Sequence, residues 1–164
     1  MTVINNINVE PSESHQLKVL IVYDSVYGNT EKVANAIGGA IIGEVKVLRV
    51  GEVNVSELEP FNLLIVGSPT QGGRPTPGIQ AFLNKISESV IKGVKVAAFD
   101  TRMSTRFIGI FGYAAERIAN SLKKNGATLI TPPEGFFVKD KGQEDSLKEG
   151  ELERAARWAK EIVK

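Results

Sequence analysis

Apolar positions along this chain switch repeatedly between two periods. Leu17 to Tyr23 (LKVLIVY) is a nearly unbroken apolar, β-branched run closed by turn-prone residues, which predicts a strand buried on both faces. From Thr30 the period becomes helical, with Val33, Ala34, Ile37 and Ile41 on one face, Asn29 or Thr30 available as cap and Glu31 well placed in the first turn. Gly38 and Gly39 inside that helix each cost about 1 kcal/mol relative to alanine, which suits a helix packed closely on a sheet. Val45 to Val50 predicts a second strand. A polar crossover with one helical turn at Ser56 to Leu58 leads to a third, Asn62 to Gly67. Thr76 and Pro77 then fit the cap and first position of a helix whose face is Ile79, Phe82, Leu83, Ile86 and Val90.

Val94 to Phe99 predicts a fourth strand, and a helix from about Gly109 to Lys124 ends at Asn125 and Gly126. The fifth strand starts at Ala127 to Ile130, breaks at Pro132 and Pro133, which cannot donate to a ladder, and resumes at Phe136 to Lys139. A last helix, Leu147 to Val163, turns Leu152, Ala155, Ala156, Ala159 and Ile162 inward with Trp158 at the flank. Its acidic residues Glu144, Asp145, Glu149, Glu151 and Glu153 read as a solvated face. Five strands alternating with helices predict an α/β fold, a three-layer doubly wound five-stranded parallel sheet.

A chain of 164 residues is one domain's worth, large enough to bury a core without staples. Met1 to Gln16 lacks the pattern of a secretory signal and reads as a mobile tail before a domain at 17–164. Twenty basic and nineteen acidic residues leave a formal charge of +1, which favours neither nucleic acid nor an acidic membrane surface. No apolar run approaches the roughly 18 residues of a bilayer span, so membrane insertion is not expected. The absence of cysteine excludes disulfides, thiolate nucleophiles and cysteine-held metal clusters. The reading is a cytoplasmic protein whose redox chemistry, if any, comes from a bound organic cofactor. The sole histidine, His15, lies in the tail, which removes histidine catalysis from the body.

In an open parallel sheet the ligand crevice lies beyond the carboxyl ends of the strands, where the strand order reverses. Three predicted strand ends carry hydroxyls, glycine or arginine: Asp24 to Thr30 (DSVYGNT), Ser68 to Pro75 (SPTQGGRP) and Asp100 to Phe107 (DTRMSTRF). In the first, Ser25, Gly28, Asn29 and Thr30 lead from a strand into a helix N-terminus, whose N–H groups and partial positive charge suit a phosphate. The loop has no lysine or arginine, which favours a phosphate held by hydrogen bonds without a metal. The lysine-bearing triphosphate loop and the G-x-G-x-x-G fingerprint are both absent. Taken alone, such a turn is equally an ordinary strand-to-helix connection.

The run Ser25-Val26-Tyr27-Gly28-Asn29-Thr30, following the first strand of a five-strand chain, resembles the FMN phosphate loop of flavodoxins. The resemblance extends from about Leu17 to Lys164. Flavodoxin is a known instance of the doubly wound fold, so the resemblance implies its strand order, 2-1-3-4-5, and its FMN at the reversal between strands one and three. It further implies an isoalloxazine flanked by Pro69-Thr70-Gln71-Gly72-Gly73 and Asp100-Thr101-Arg102-Met103, with redox proteins as partners. Close backbone approach would make Gly72 intolerant of a bulky side chain.

Tyr27 stands where many flavodoxins have threonine, and the S-x-Y-G-x-T pattern resembles the loops of flavodoxin-like quinone reductases and flavodiiron proteins. The ring-flanking loops lack the Trp and Tyr common in carriers, leaving Met103, Phe107 and Phe111 as apolar neighbours. The resemblance thus implies an FMN electron carrier with no catalytic side chain. The alternative is an FMN-dependent oxidoreductase of quinone reductase or porphyrinogen-oxidising type, with Arg74, Arg102 and Arg106 available to an anionic ligand. A receiver domain would need an aspartate where Gly67-Ser68 stands, and a flavodoxin fold used only for protein contacts would be colourless. Charge adds one expectation: an arginine at the flavin, Arg102 first, then Arg74 and Arg106, favours the second electron unless Asp100 neutralises it.

Overall fold

The computed structural model describes residues 16–103, 112–139 and 143–164. In chain order these form β1 (Lys18–Tyr23), α1 (Asn29–Ala40), β2 (Glu44–Arg49), β3 (Leu63–Pro69), α2 (Pro77–Lys85), the short α3 (Glu88–Ile91), β4 (Lys95–Met103), α4 (Ala114–Lys124), β5 (Thr128–Leu129), β6 (Glu134–Val138) and α5 (Glu151–Ile162). Two single 3-10 turns, Val50–Glu52 and Val55–Glu57, occupy the crossover after β2. The strands pair in parallel in the order β2-β1-β3-β4-β5, with β6 also on β4. This is the expected order 2-1-3-4-5 with its last member split. Thr128–Leu129 pairs with the start of β4 and Glu134–Val138 with its end, while Pro132 and Pro133 sit in the gap, where no ladder donor is required.

Alternation along the strands divides the core in two. Leu20, Val22, Leu64, Val66, Val96 and Ala98 face α2 and α4 through Ile79, Phe82, Ile118 and Leu122. Val19, Ile21, Ile65, Ala97 and Phe99 face α1 and α5 through Val33, Ile37, Ala155 and Trp158. Helices thus cover both faces, the three-layer arrangement expected of a parallel sheet. A Cβ on Gly38 would lie 2.6 Å from the Val47 side chain, which explains the first helical glycine by close packing; Gly39 faces open space.

Several local expectations change. The first helix is capped by Gly28 in the left-handed conformation, and Asn29 and Thr30 are buried in its first turn. The second stops at Lys85 because Ile86 and Ser87 are extended; Ile86 stays in the core, but Val90 on the separate α3 is exposed. The fourth begins at Ala114, after left-handed Gly112 and extended Tyr113, and residues 109–111 lie outside the described residues. The last helix starts at Glu151 after left-handed Gly150. Trp158 enters the core edge-on to Phe99 and Phe136, with centroids 6.2 and 5.9 Å apart. That register turns residues 151, 155, 158 and 159 inward and leaves Leu152 outside. Glu151 therefore belongs to the interior, where it accepts from the Phe137 N–H and pairs with Arg154. The segment at 1–15, with His15, lies outside the described residues.

Candidate functional site

The segments that follow β1 and β3 meet at Thr101, near the end of β4. Its hydroxyl is 2.8 Å from that of Thr30, and its carbonyl accepts from the Thr70 N–H at 2.9 Å, so one residue of β4 ties both segments together. Thr30 and Thr101 are both buried. Sequence separation of 71 residues hides this pairing from any local pattern.

In the loop after β1, Ser25 Oγ accepts from the N–H groups of Gly28 and Glu31, at 3.1 and 3.3 Å. The serine thus shapes the turn from within. Gly28, at φ +92°, reverses the chain without the strain an L side chain would carry. Lys32 N–H closes onto the Gly28 carbonyl. Among the described residues, the N–H groups of Val26, Tyr27, Asn29 and Thr30 find no acceptor. Val26 and Tyr27 are 53% and 47% exposed, so this cluster of donors is open on one side. The Asn29 side chain is committed elsewhere: its amide donates to the Gln143 carbonyl and Ser146 Oγ, and its Oδ1 accepts from the Ser146 N–H. The hydroxyls of Ser25 and Thr30 and the amide of Asn29 therefore build the loop, while its backbone supplies the donors.

After β3, which ends at Pro69, residues 71–74 form a tight turn closed by reciprocal backbone bonds between Gln71 and Arg74 at 2.8 and 3.0 Å. Gly72 and Gly73 have φ of +58° and +81°, so both central positions are left-handed, the pattern that selects glycine in a type I′ turn. A Cβ on Gly72 meets nothing within 4 Å among the described residues, so backbone strain rather than crowding restricts that position. Thr70 Oγ1 accepts from the Ala114 N–H and the Gly73 carbonyl accepts from Arg117 Nε, anchoring the turn to α4. Ser68 Oγ accepts from the Thr76 N–H, and Thr76 caps α2.

The end of β4 holds an ion pair. Asp100 is fully buried, and Arg102 approaches it bidentately, Nε to Oδ1 at 2.7 Å and Nη2 to Oδ2 at 2.9 Å, with the Ala115 N–H as a third donor. The guanidinium lies over the Tyr113 ring, 3.5 Å from its centroid, and against Gly135, where any Cβ would collide with it. Burial pushes the Asp100 carboxyl above its ordinary range, against the pull of Arg102 and Ala115. Arg102 is thus matched by Asp100, and the expectation that it acts on a flavin as a net positive charge is withdrawn. Arg74 is exposed on the turn, Met103 is half-buried at the end of β4, and Arg106, Phe107 and Phe111 lie outside the described residues. Sequence reasoning missed Tyr113, Gly135 and Ser146, whose contacts with Arg102 and Asn29 join residues distant in the chain.

The Flavodoxin family model matches residues 21–158. The chain belongs to the flavodoxin family. Relatives of this family member include a flavodoxin from Clostridium beijerinckii, 38% identical over 48% of this chain and 60% of its own length. An NAD(P)H dehydrogenase (quinone) from Azorhizobium caulinodans is 31% identical over 56% of this chain and 59% of its own. A diflavin flavoprotein from Synechocystis sp. is 32% identical over 71% of this chain, which spans only 20% of that longer protein. Among solved structures, a flavodoxin from the domain Archaea superposes with a TM-score of 0.73 at 24% identity, covering 90% of this chain and 96% of that one. Among the described residues no helix is long and apolar enough to cross a membrane.

Proposed function

We propose that this flavodoxin-family chain binds one FMN at the carboxyl ends of β1, β3 and β4 and serves as an electron carrier for partner proteins. The observation that carries the reading is the set of four backbone N–H groups, at Val26, Tyr27, Asn29 and Thr30, that find no acceptor among the described residues and gather at a helix N-terminus. A donor set made of N–H groups and a helix dipole fits a phosphate monoester and does not require a metal. FMN, when bound, supplies the one- and two-electron chemistry, and the protein supplies position and electrostatics. Thr101 fixes the loops relative to one another, and the Gln71–Arg74 turn and the end of β4 provide the walls assigned to the ring. Pro69, Thr70, Gln71, Gly72, Gly73 and Asp100 to Met103 remain the proposed ring-flanking set.

The test is selectivity for the phosphate. FMN is expected to bind on the order of 100-fold more tightly than riboflavin, about 2.7 kcal/mol, the worth of one or two charge-assisted hydrogen bonds. Ser25→Ala leaves the Gly28 and Glu31 N–H groups without their acceptor; loosening the turn in this way, at a cost of about 1 kcal/mol, should weaken FMN roughly fivefold. Flavin fluorescence quenching on the flavin-free chain measures both. Equal affinity for the two flavins would remove the phosphate site.

A second reading, an FMN-dependent oxidoreductase, is favoured by the quinone dehydrogenase relative and by exposed Arg74 on the turn. Anaerobic mixing with NADPH separates the two: a carrier leaves the flavin absorbance unchanged on the timescale of turnover, and an oxidoreductase bleaches it.

A further inference from the structure

The loop after β1 is flanked by two carboxylates, Asp24 before it and Glu31 within the first turn of α1. Both repel a phosphate dianion, and the loop itself contains no cation to offset them. A cation arrives from another strand. Arg49, the last residue of β2 and the register partner of Tyr23, places Nη1 3.7 Å from Asp24 Oδ1 and Nη2 3.4 Å from Glu31 Oε1.

The same Nη1 donates to the Ser25 carbonyl at 2.8 Å. A trans peptide points its C=O and the following N–H in opposite directions. Holding the Ser25 carbonyl towards β2 therefore turns the Val26 N–H away from Arg49. That N–H is one of the four donors without an acceptor among the described residues. The guanidinium is itself fixed, 5.3 Å above the Tyr23 ring, while the Tyr23 hydroxyl donates to the other Glu31 oxygen at 3.0 Å. Asp24 is held from its far side by the Thr76 hydroxyl at 2.6 Å.

We infer that Arg49 is the positioning residue that makes this loop selective for a phosphorylated ligand, by bridging Asp24 and Glu31 and orienting the Ser25–Val26 peptide. This rests on the FMN reading above. A merely structural role would weaken every flavin alike, whereas this one acts on the phosphate alone.

The experiment titrates the flavin-free full chain with FMN and with riboflavin for wild type, Arg49→Ala, Arg49→Lys and Arg49→Ala/Glu31→Gln, with circular dichroism as the folding control. Arg49→Ala should weaken FMN by about 10- to 50-fold and riboflavin by less than about twofold. The FMN loss should shrink at high salt, which screens the half-buried carboxylates in part. Glu31→Gln in the Arg49→Ala background should recover a substantial part of it. Arg49→Lys keeps the charge without the planar fork and should fall between. If FMN and riboflavin weaken together, or Glu31→Gln restores nothing, Arg49 does not have this role. A wild type that prefers FMN and keeps the preference in Arg49→Ala overturns this inference alone. A wild type with no preference overturns the phosphate site and this inference with it.

Discussion

Arg102→Ala is expected to lower the stability of the folded chain by about 3–5 kcal/mol at neutral pH, the cost of removing one partner from a buried ion pair. The bound on that loss comes from Asp100, fully buried in the native protein, which the substitution leaves with the Ala115 N–H and the Thr70 hydroxyl as hydrogen-bond partners and no cation. Protonating it instead costs about 4 kcal/mol at pH 7, from an ordinary carboxyl near 3.9 and roughly 1.4 kcal/mol per pH unit, and only about 1.5 kcal/mol at pH 5. The deficit should therefore shrink by about 2–3 kcal/mol between pH 7 and pH 5.

The sign follows from burial. Asp100 is already pushed up in the native protein, so the folded state binds its proton more tightly than the unfolded chain does. Its contribution to stability is then greatest below the unfolded carboxyl's range and declines as the pH rises through the interval between the two values. Losing Arg102 widens that interval. Urea unfolding of both proteins across this range checks the prediction, and a pH-independent difference would mean that lost packing on Tyr113 dominates. Asp100→Asn combined with Arg102→Met, which removes both charges, should recover most of the stability.

Gly67→Ala is expected to cost about 3 kcal/mol, at the upper end of what overpacking does in a well-filled core. The added methyl would collide with three atoms of the Phe99 ring. That ring has no exposed surface and nowhere to retreat, since it meets Phe136 and Trp158 edge-on, with centroids 6.1 and 6.2 Å away. A shift in Tm of roughly 6–12 °C follows for a domain of this size. Calorimetry measures the shift, and Trp158 fluorescence reports whether the aromatic cluster has moved. Phe99→Leu in the Gly67→Ala background should return part of the loss; if it deepens the loss instead, the steric explanation is wrong. Because Phe99 immediately precedes Asp100, movement of this ring would also disturb the end of β4 proposed to flank the flavin.

Much of this architecture was legible in the chain because the period of burial is a local property. Val19 to Tyr23 is apolar throughout since β1 lies between two helical layers, and Val33, Ala34 and Ile37 share a face since α1 covers one of them. The double proline marked the gap between β5 and β6 for an equally local reason, the missing ladder donors. The three strand-end loops were legible as hydroxyl- and glycine-rich segments, and their assembly at one edge followed from the parallel topology. Tertiary structure alone decided what their polar atoms do. Thr30 pairs with Thr101, Asn29 with Ser146 across 117 residues, and the Tyr113 ring stacks on Arg102. It also rotated the last helix so that Trp158 and Glu151 are buried. Periodicity records which side of an element loses its water, but a buried hydroxyl, amide or charge must find whichever partner the fold brings within hydrogen-bond reach, and that partner is rarely nearby in sequence.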